Sequence, residues 1–153
     1  MSIVLDGTLG ITSVTGSASL AVAGPAFDYT ADGTQSVSSG SYSKVLYATK
    51  NFDTASAVSS SRFTPLVAGY YQISCAVGIS TINETVLAIF KNGSTFRYFL
   101  DITPTAIYNF SGSLLIYLNG STDYIEVYVY QGSGTSKTLN NQSYFQGVLV
   151  RSA

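Results

Sequence analysis

Residues 69–80 constrain the fold of this chain more than any other stretch. Tyr71, Ile73, Cys75, Val77 and Ile79 occupy every second position, and Tyr70, Gln72, Ser74, Ala76 and Gly78 alternate with them. Successive side chains of a strand point to opposite faces, so a period of two describes a strand with one face in an apolar core. Such a face is stable only against a second layer.

Neighbouring segments carry the same signature. Residues 86–90, Val-Leu-Ala-Ile-Phe, are apolar on both faces, as in a central strand or one lying under a partner. Asn92-Gly93 follows, a hairpin signal because both residues tolerate positive φ. Asn119-Gly120-Ser121 separates 110–118 from 123–131. In the latter, Ile125, Val127 and Val129 face one way, and Tyr124, Glu126, Tyr128 and Tyr130 the other. A last strand is expected over 143–150. Pro65 and Pro104 belong at strand edges or loops, where a missing N–H costs little. Helix formers are sparse, and many strands without helical spacers imply an all-β sandwich or barrel.

Two regions differ in texture. Residues 1–25 are Gly, Ser, Thr and Ala with isolated aliphatics, and Pro25 closes them. The expectation is an extended N-terminal arm, with residues 1–24 attaching to a larger assembly or threading between subunits; a mobile tail is the alternative. Residues 26–153 form the head domain.

Charge narrows the function. Charged residues make up 10% of the chain, against about 25% in ordinary domains, and the net charge is −1. A surface so poorly charged suits a protein that covers itself with its own copies. The seven basic residues are scattered, so the concentrated footprint of nucleic-acid binding is missing. No run approaches a membrane-spanning length, and no segment reads as a signal peptide, so synthesis in a cytoplasm is expected.

Catalytic chemistry has little to work with. The chain has no histidine, the usual general base and metal ligand. Asp101, Asp123 and Glu126 have no paired spacing of the kind glycoside cleavage uses. Cys75, at an inward strand position, reads as a small buried hydrophobe. The expectation is no enzyme, no cofactor and no metal.

Three motifs then resemble those of the complement globular-head and tumour-necrosis-factor superfamily. Phe63-Thr64-Pro65-Leu66-Val67-Ala68-Gly69-Tyr70-Tyr71 is similar to its signature of Phe, five residues, Gly, any residue and Tyr. Ser111-Gly112-Ser113 opens a strand resembling the next hallmark, and Phe145-Gln146-Gly147-Val148-Leu149 resembles the C-terminal strand. Leu5-Asp6-Gly7-Thr8-Leu9-Gly10-Ile11-Thr12 resembles the opening segment of phage fibre proteins, and Gly24-Pro25-Ala26-Phe27 the start of an appended jelly roll. In one departure, the family's upstream aromatic falls at Ser56, so the loop 53–61 is expected to be rebuilt. No collagen-like repeat precedes the head.

The resemblance implies a two-sheet antiparallel jelly-roll sandwich, with two five-stranded sheets, assembled as a homotrimer. Position matching places Tyr70, Leu115, Tyr117, Tyr144 and Val148 at the trimer interface. The strand carrying Tyr124, Tyr128 and Tyr130 falls on the outer sheet, making these tyrosines a candidate external binding surface; tyrosines packed sideways on a sheet are the alternative. The implied function is a virion structural protein made in the host cytoplasm. It would be the head of a phage tail fibre or spike adhering to a host glycan or protein, or a capsid-decoration or head-fibre trimer with a purely structural role. Its partners would be itself and, through residues 1–24, other virion proteins.

Overall fold

The computed structural model describes residues 3–6, 10–14, 24–80, 83–103 and 108–153. Within the N-terminal segment, β1 (Ile3–Asp6) and β2 (Gly10–Val14) pair antiparallel, Ile3 opposite Val14 and Asp6 opposite Gly10. This part of the expected arm is therefore a hairpin, not a single extended run. The rest of residues 1–23, like Pro104, lies outside the described residues.

The head contains β3 (Ala26–Thr30), β4 (Ser36–Val37), β5 (Ser43–Lys44), β6 (Thr49–Asp53), β7 (Val58–Ser59), β8 (Arg62–Phe63) and β9 (Gly69–Ile79). They are followed by β10 (Thr85–Lys91), β11 (Ser94–Ile102), β12 (Tyr108–Leu118), β13 (Ile125–Gln131), β14 (Lys137–Thr138) and β15 (Tyr144–Ser152). One sheet has five strands in the order β12-β9-β15-β3-β6. The other runs β11-β10-β13-β8-β7, with β5 also pairing to β13, and so has six strands rather than the five implied. The extra strand arises because two short pieces, β5 and β8, share the far side of β13 in succession. All pairings are antiparallel, and β4 pairs with β14 as a separate short ribbon.

The alternation of residues 69–80 holds. Tyr71, Ile73, Cys75, Val77 and Ile79 are buried against Leu87, Ile89, Val127 and Val129 of the facing sheet. Residues 86–89 are buried on both faces: β10 lies centrally between β11 and β13, its inward side chains face the core, and rings cover its outward ones. The β10–β11 hairpin turns on Asn92 and Gly93, at φ 54° and 80°. By contrast, Asn119-Gly120 joins β12 to β13 across the two sheets and is not a hairpin turn.

An aromatic clasp closes the sandwich. Phe27 and Phe145 of the five-stranded sheet lie 4.9 Å apart, edge to face, and Phe27 lies 4.4 Å from Phe63 of the other sheet. Tyr71 meets Phe63 edge-on at 5.3 Å, and Tyr47 joins Phe145 at 5.5 Å. Phe63, Phe145 and Tyr71 come from the motifs that carry the resemblance.

The open edge is closed differently. The register of β11 slips twice against β10, leaving Phe96 and Phe99 as bulge residues. A bulge re-aims its side chain. Phe99 packs over Gly112 of β12, where an added Cβ would lie 2.0 Å from the ring, whereas Phe96 is exposed. The loop 53–61 is ordered around Asp53, whose carboxylate accepts the amides of Ala55, Ala57 and Val58, while Ser56, Ser60 and Ser61 take positive φ.

Replacing Phe63 with Ala should cost about 3–5 kcal/mol, because the clasp loses its only ring from the second sheet. Urea unfolding at fixed protein concentration measures this; a loss below about 1 kcal/mol would show that the clasp does not hold the sheets together.

Candidate functional site

The two outward faces of the sandwich are built differently. On the five-stranded sheet, antiparallel register sets side chains in rows. Tyr117 of β12 stands opposite Tyr70 of β9, their rings 5.5 Å apart. The next row is Leu115, Gln72 and Val148, and the one after it Ser113, Ser74 and Gln146. Tyr144 comes a row further on, beside Ala76. Leu115 is 58% exposed, and Tyr70, Tyr117 and Val148 are each about 43–44% exposed.

Four of the five residues assigned to a subunit interface thus form one largely apolar patch over two adjacent rows, with Gln72 between Leu115 and Val148 and Arg151 opposite Tyr70. Tyr144 shares the face but is half-buried and separated from the patch by the polar row of Ser113, Ser74 and Gln146, whose Ser113 hydroxyl accepts from Ser74 and, across rows, from Gln72. Two further exposed apolar residues of this face escaped the sequence reading. Val150, also exposed, was legible from the alternation of β15. Phe52 was not, because β6 has no apolar alternation to announce it. Between Phe52, Ala26, Gln72, Gln146 and Val148 the face sinks into a hollow of about 190 Å³.

The outer face of the six-stranded sheet covers its own centre. Tyr128 stacks on Phe90 with centroids 4.1 Å apart. Phe90 and Tyr130 lie two outward rows apart, yet the Tyr42 ring is 5.6 Å from both, so it lies across the row between them. That row holds Ala88, and together the rings explain why the outward-pointing Val86 and Ala88 are buried. Burial, then hydrogen bonding with Tyr98, pushes the Tyr42 hydroxyl up to about 12.

One row along, Glu126 is almost fully buried. Arg62 Nε donates to its Oε1 at 2.9 Å and Lys44 Nζ at 3.1 Å, while the Tyr128 hydroxyl reaches Oε2 at 3.5 Å. A buried carboxylate needs such pairing to offset its lost hydration. The Glu126 hydrogen bond raises the Arg62 pKa, and the guanidinium also lies 3.9 Å over the Tyr124 ring.

The structure therefore places Tyr124, Tyr128 and Tyr130 on one outward face, each half-buried. Each is packed against a partner the sequence reading missed: Arg62, Phe90 and Tyr42. Those partners come from strands that only the fold brings alongside. Glu126, isolated in sequence, has two cations in space.

At the end of the sandwich, Asp123 ties three segments together. It accepts from Asn92 Nδ2 at 2.8 Å, Lys91 Nζ at 2.9 Å and the Asn119 amide at 3.1 Å. Lys91 also donates to the Tyr117 carbonyl, which anchors the apolar patch.

No protein-family model matches this chain, and no curated protein does. Solved structures do. The globular domain of zebrafish complement 1qA superposes with a TM-score of 0.67 at 17% identity, over 85% of this chain and 99% of that one. Murine APRIL gives 0.61 at 12% identity, over 83% and 99%. PRD1 vertex protein P5 gives 0.57 at 16% identity, over 83% and 97%. The fold is the jelly roll shared by complement globular heads and tumour-necrosis-factor-like proteins.

The Asn92 and Lys91 hydrogen bonds hold the Asp123 carboxyl below its ordinary value. A lowered carboxyl stabilises the fold fully above the unfolded value of about 3.9 and loses that contribution as pH falls through the folded value. Melting temperature against pH should therefore fall more steeply below about pH 4 in the parent than in Asp123→Asn; identical acid limbs would remove Asp123 from the acid response.

Proposed function

We propose that this chain is a non-enzymatic structural protein of a phage particle, whose head assembles as a homotrimer through its five-stranded sheet. The observation that carries this reading is the Tyr70, Tyr117, Leu115, Val148 and Val150 patch. A contiguous exposed apolar patch on an otherwise well-packed domain marks an interaction surface. The other sheet covers the centre of its outward face with its own rings, whereas this patch is uncovered, which favours it as the face for a second copy. Proteins of this fold typically form homotrimers and are typically non-enzymatic, which supports the same choice.

The chain would be the tip of a spike or tail fibre, with residues 1–24 docked on other virion proteins and the outer sheet turned toward the host. Three weak sites per head would bind through effective concentration rather than through one tight contact. The likeness to a vertex protein favours a capsid position over a tail. It also keeps a second reading in view, a capsid-decoration or head-fibre trimer with no ligand. Competition separates the two: free head should block adsorption of the parent phage in the adhesive case and leave it unchanged in the structural one.

Solution mass tests the assembly. Full-length chain and a version lacking residues 1–24 should both measure about three times 16.2 kDa. Leu115→Asp with Tyr117→Ser should fall to monomer with an unchanged far-ultraviolet spectrum. A monomeric parent would overturn the reading, and a trimer only with residues 1–24 present would move the contact from the sheet to the arm.

A further inference from the structure

The outer face pairs its charges at one end and leaves them open at the other. At the closed end, a ring, a carboxylate and a guanidinium form one unit: Tyr124, Glu126 and Arg62. At the open end stand the rings of Tyr42, Tyr98 and Tyr130, with Tyr42 38% and Tyr98 55% exposed. Asp101 lies in the same register row as Val86 and Tyr130. Glu84 flanks the other side: its Cβ and the Tyr130 hydroxyl lie 3.6 and 3.7 Å from where a Cβ on Gly132 would stand.

These two carboxylates differ from the others. Asp28 accepts from Asn51, Asp32 from Thr34 and Asp53 from its own loop; Asp123 and Glu126 hold ion pairs. Among the described residues, Glu84 and Asp101 have neither a hydrogen-bond donor nor a cation, and both act on the Tyr42 hydroxyl electrostatically. The open end thus brings together rings and two carboxylates, as the closed end does rings and one, without the cation. Ring faces attract cations, and flanking carboxylates add to that attraction. The platform also ends at β11, a sheet edge with no strand beyond it among the described residues, so an extended chain can reach it from the side.

We propose that the Tyr42, Tyr98 and Tyr130 platform, flanked by Asp101 and Glu84, docks an arginine or lysine side chain presented by an extended segment of a partner protein. This rests on the adhesive reading above, since it supplies the chemistry that the outward sheet would recognise. The cation would sit where Arg62 sits relative to Tyr124, over a ring and beside a carboxylate. It would come from the partner because Lys44 and Arg62 are held by Glu126, and Arg97, next to Tyr98, stands in the inward register opposite Ile89.

The test is a titration of the full-length chain, followed by nuclear magnetic resonance of the tyrosine rings. The probes are the amidated peptide Gly-Arg-Gly-Arg-Gly, its glutamate counterpart and maltohexaose. The arginine peptide should shift ring resonances, more weakly as salt is raised, and the other two should not. Glu84→Gln with Asp101→Asn should weaken binding about tenfold, and Tyr98→Ser should weaken it with unchanged mass. No shift, an equal response to the glutamate peptide, a response to maltohexaose alone, or unchanged binding in the carboxylate variant would each overturn the proposal. Mass measured on the same samples keeps the two readings apart. A trimer that ignores the arginine peptide overturns the docking surface alone, whereas a monomer that binds it overturns the assembly and leaves the docking surface standing.

Discussion

Everything in this head depends on one contact between sheets, the ring of Phe63 seated against Phe27 and Tyr71. The two sheets of a sandwich are held by interdigitated side chains, since no backbone hydrogen bond crosses between them. Phe63 belongs to β8, a strand of two residues with little ladder of its own to hold it. Its place is set by packing, and it in turn fixes how Phe27, Phe145 and Tyr71 meet. At the opposite edge Phe99 does comparable work by leaving its strand at a bulge and lying over Gly112. One edge is closed by an aromatic cluster and the other by a single ring on a glycine.

With the interior settled, the outward faces diverge. Both carry tyrosines at alternate positions, and a list of residues would treat them alike. On the six-stranded sheet the central strands carry Val86 and Ala88 outward, small enough for Tyr42 to lie across them, and Glu126 draws Lys44 and Arg62 down beside the rings. That face buries its own apolar area and leaves an open, negatively charged end. On the five-stranded sheet the central outward positions are Gln72 and Ser74, which engage Ser113 and give no flat apolar floor. Tyr70, Tyr117, Leu115 and Val148 therefore stay upright and exposed. This contrast is the basis for proposing a small ligand group on the first face and a whole copy of the domain on the second.

Much of the architecture was legible because period-two patterning is local. The faces of β9 and β13, the double-sided burial of β10 and the Asn92-Gly93 turn each follow from residues adjacent in sequence. The inward position of Cys75 does too, and burial pushes its thiol up to about 12, away from any reactive role. The short strands β5, β7 and β8 were not legible, since two residues carry no period. Nor was the β1–β2 hairpin, where glycines and isolated aliphatics resemble an unstructured arm.

The sequence by itself determined the class of fold, the identity of the inward residues and the absence of histidine chemistry, because strand alternation and composition are properties of the chain. It also placed Tyr70, Leu115, Tyr117 and Val148 on outward positions of their strands. Only the tertiary structure decided which outward tyrosines would be covered. Tyr42 reaches Tyr130 across 88 residues of sequence, and Arg62 reaches Glu126 across 64. Whether an exposed ring becomes a floor, a lid or a free surface depends on what the neighbouring strands bring beside it, and strand order is a property of the whole fold.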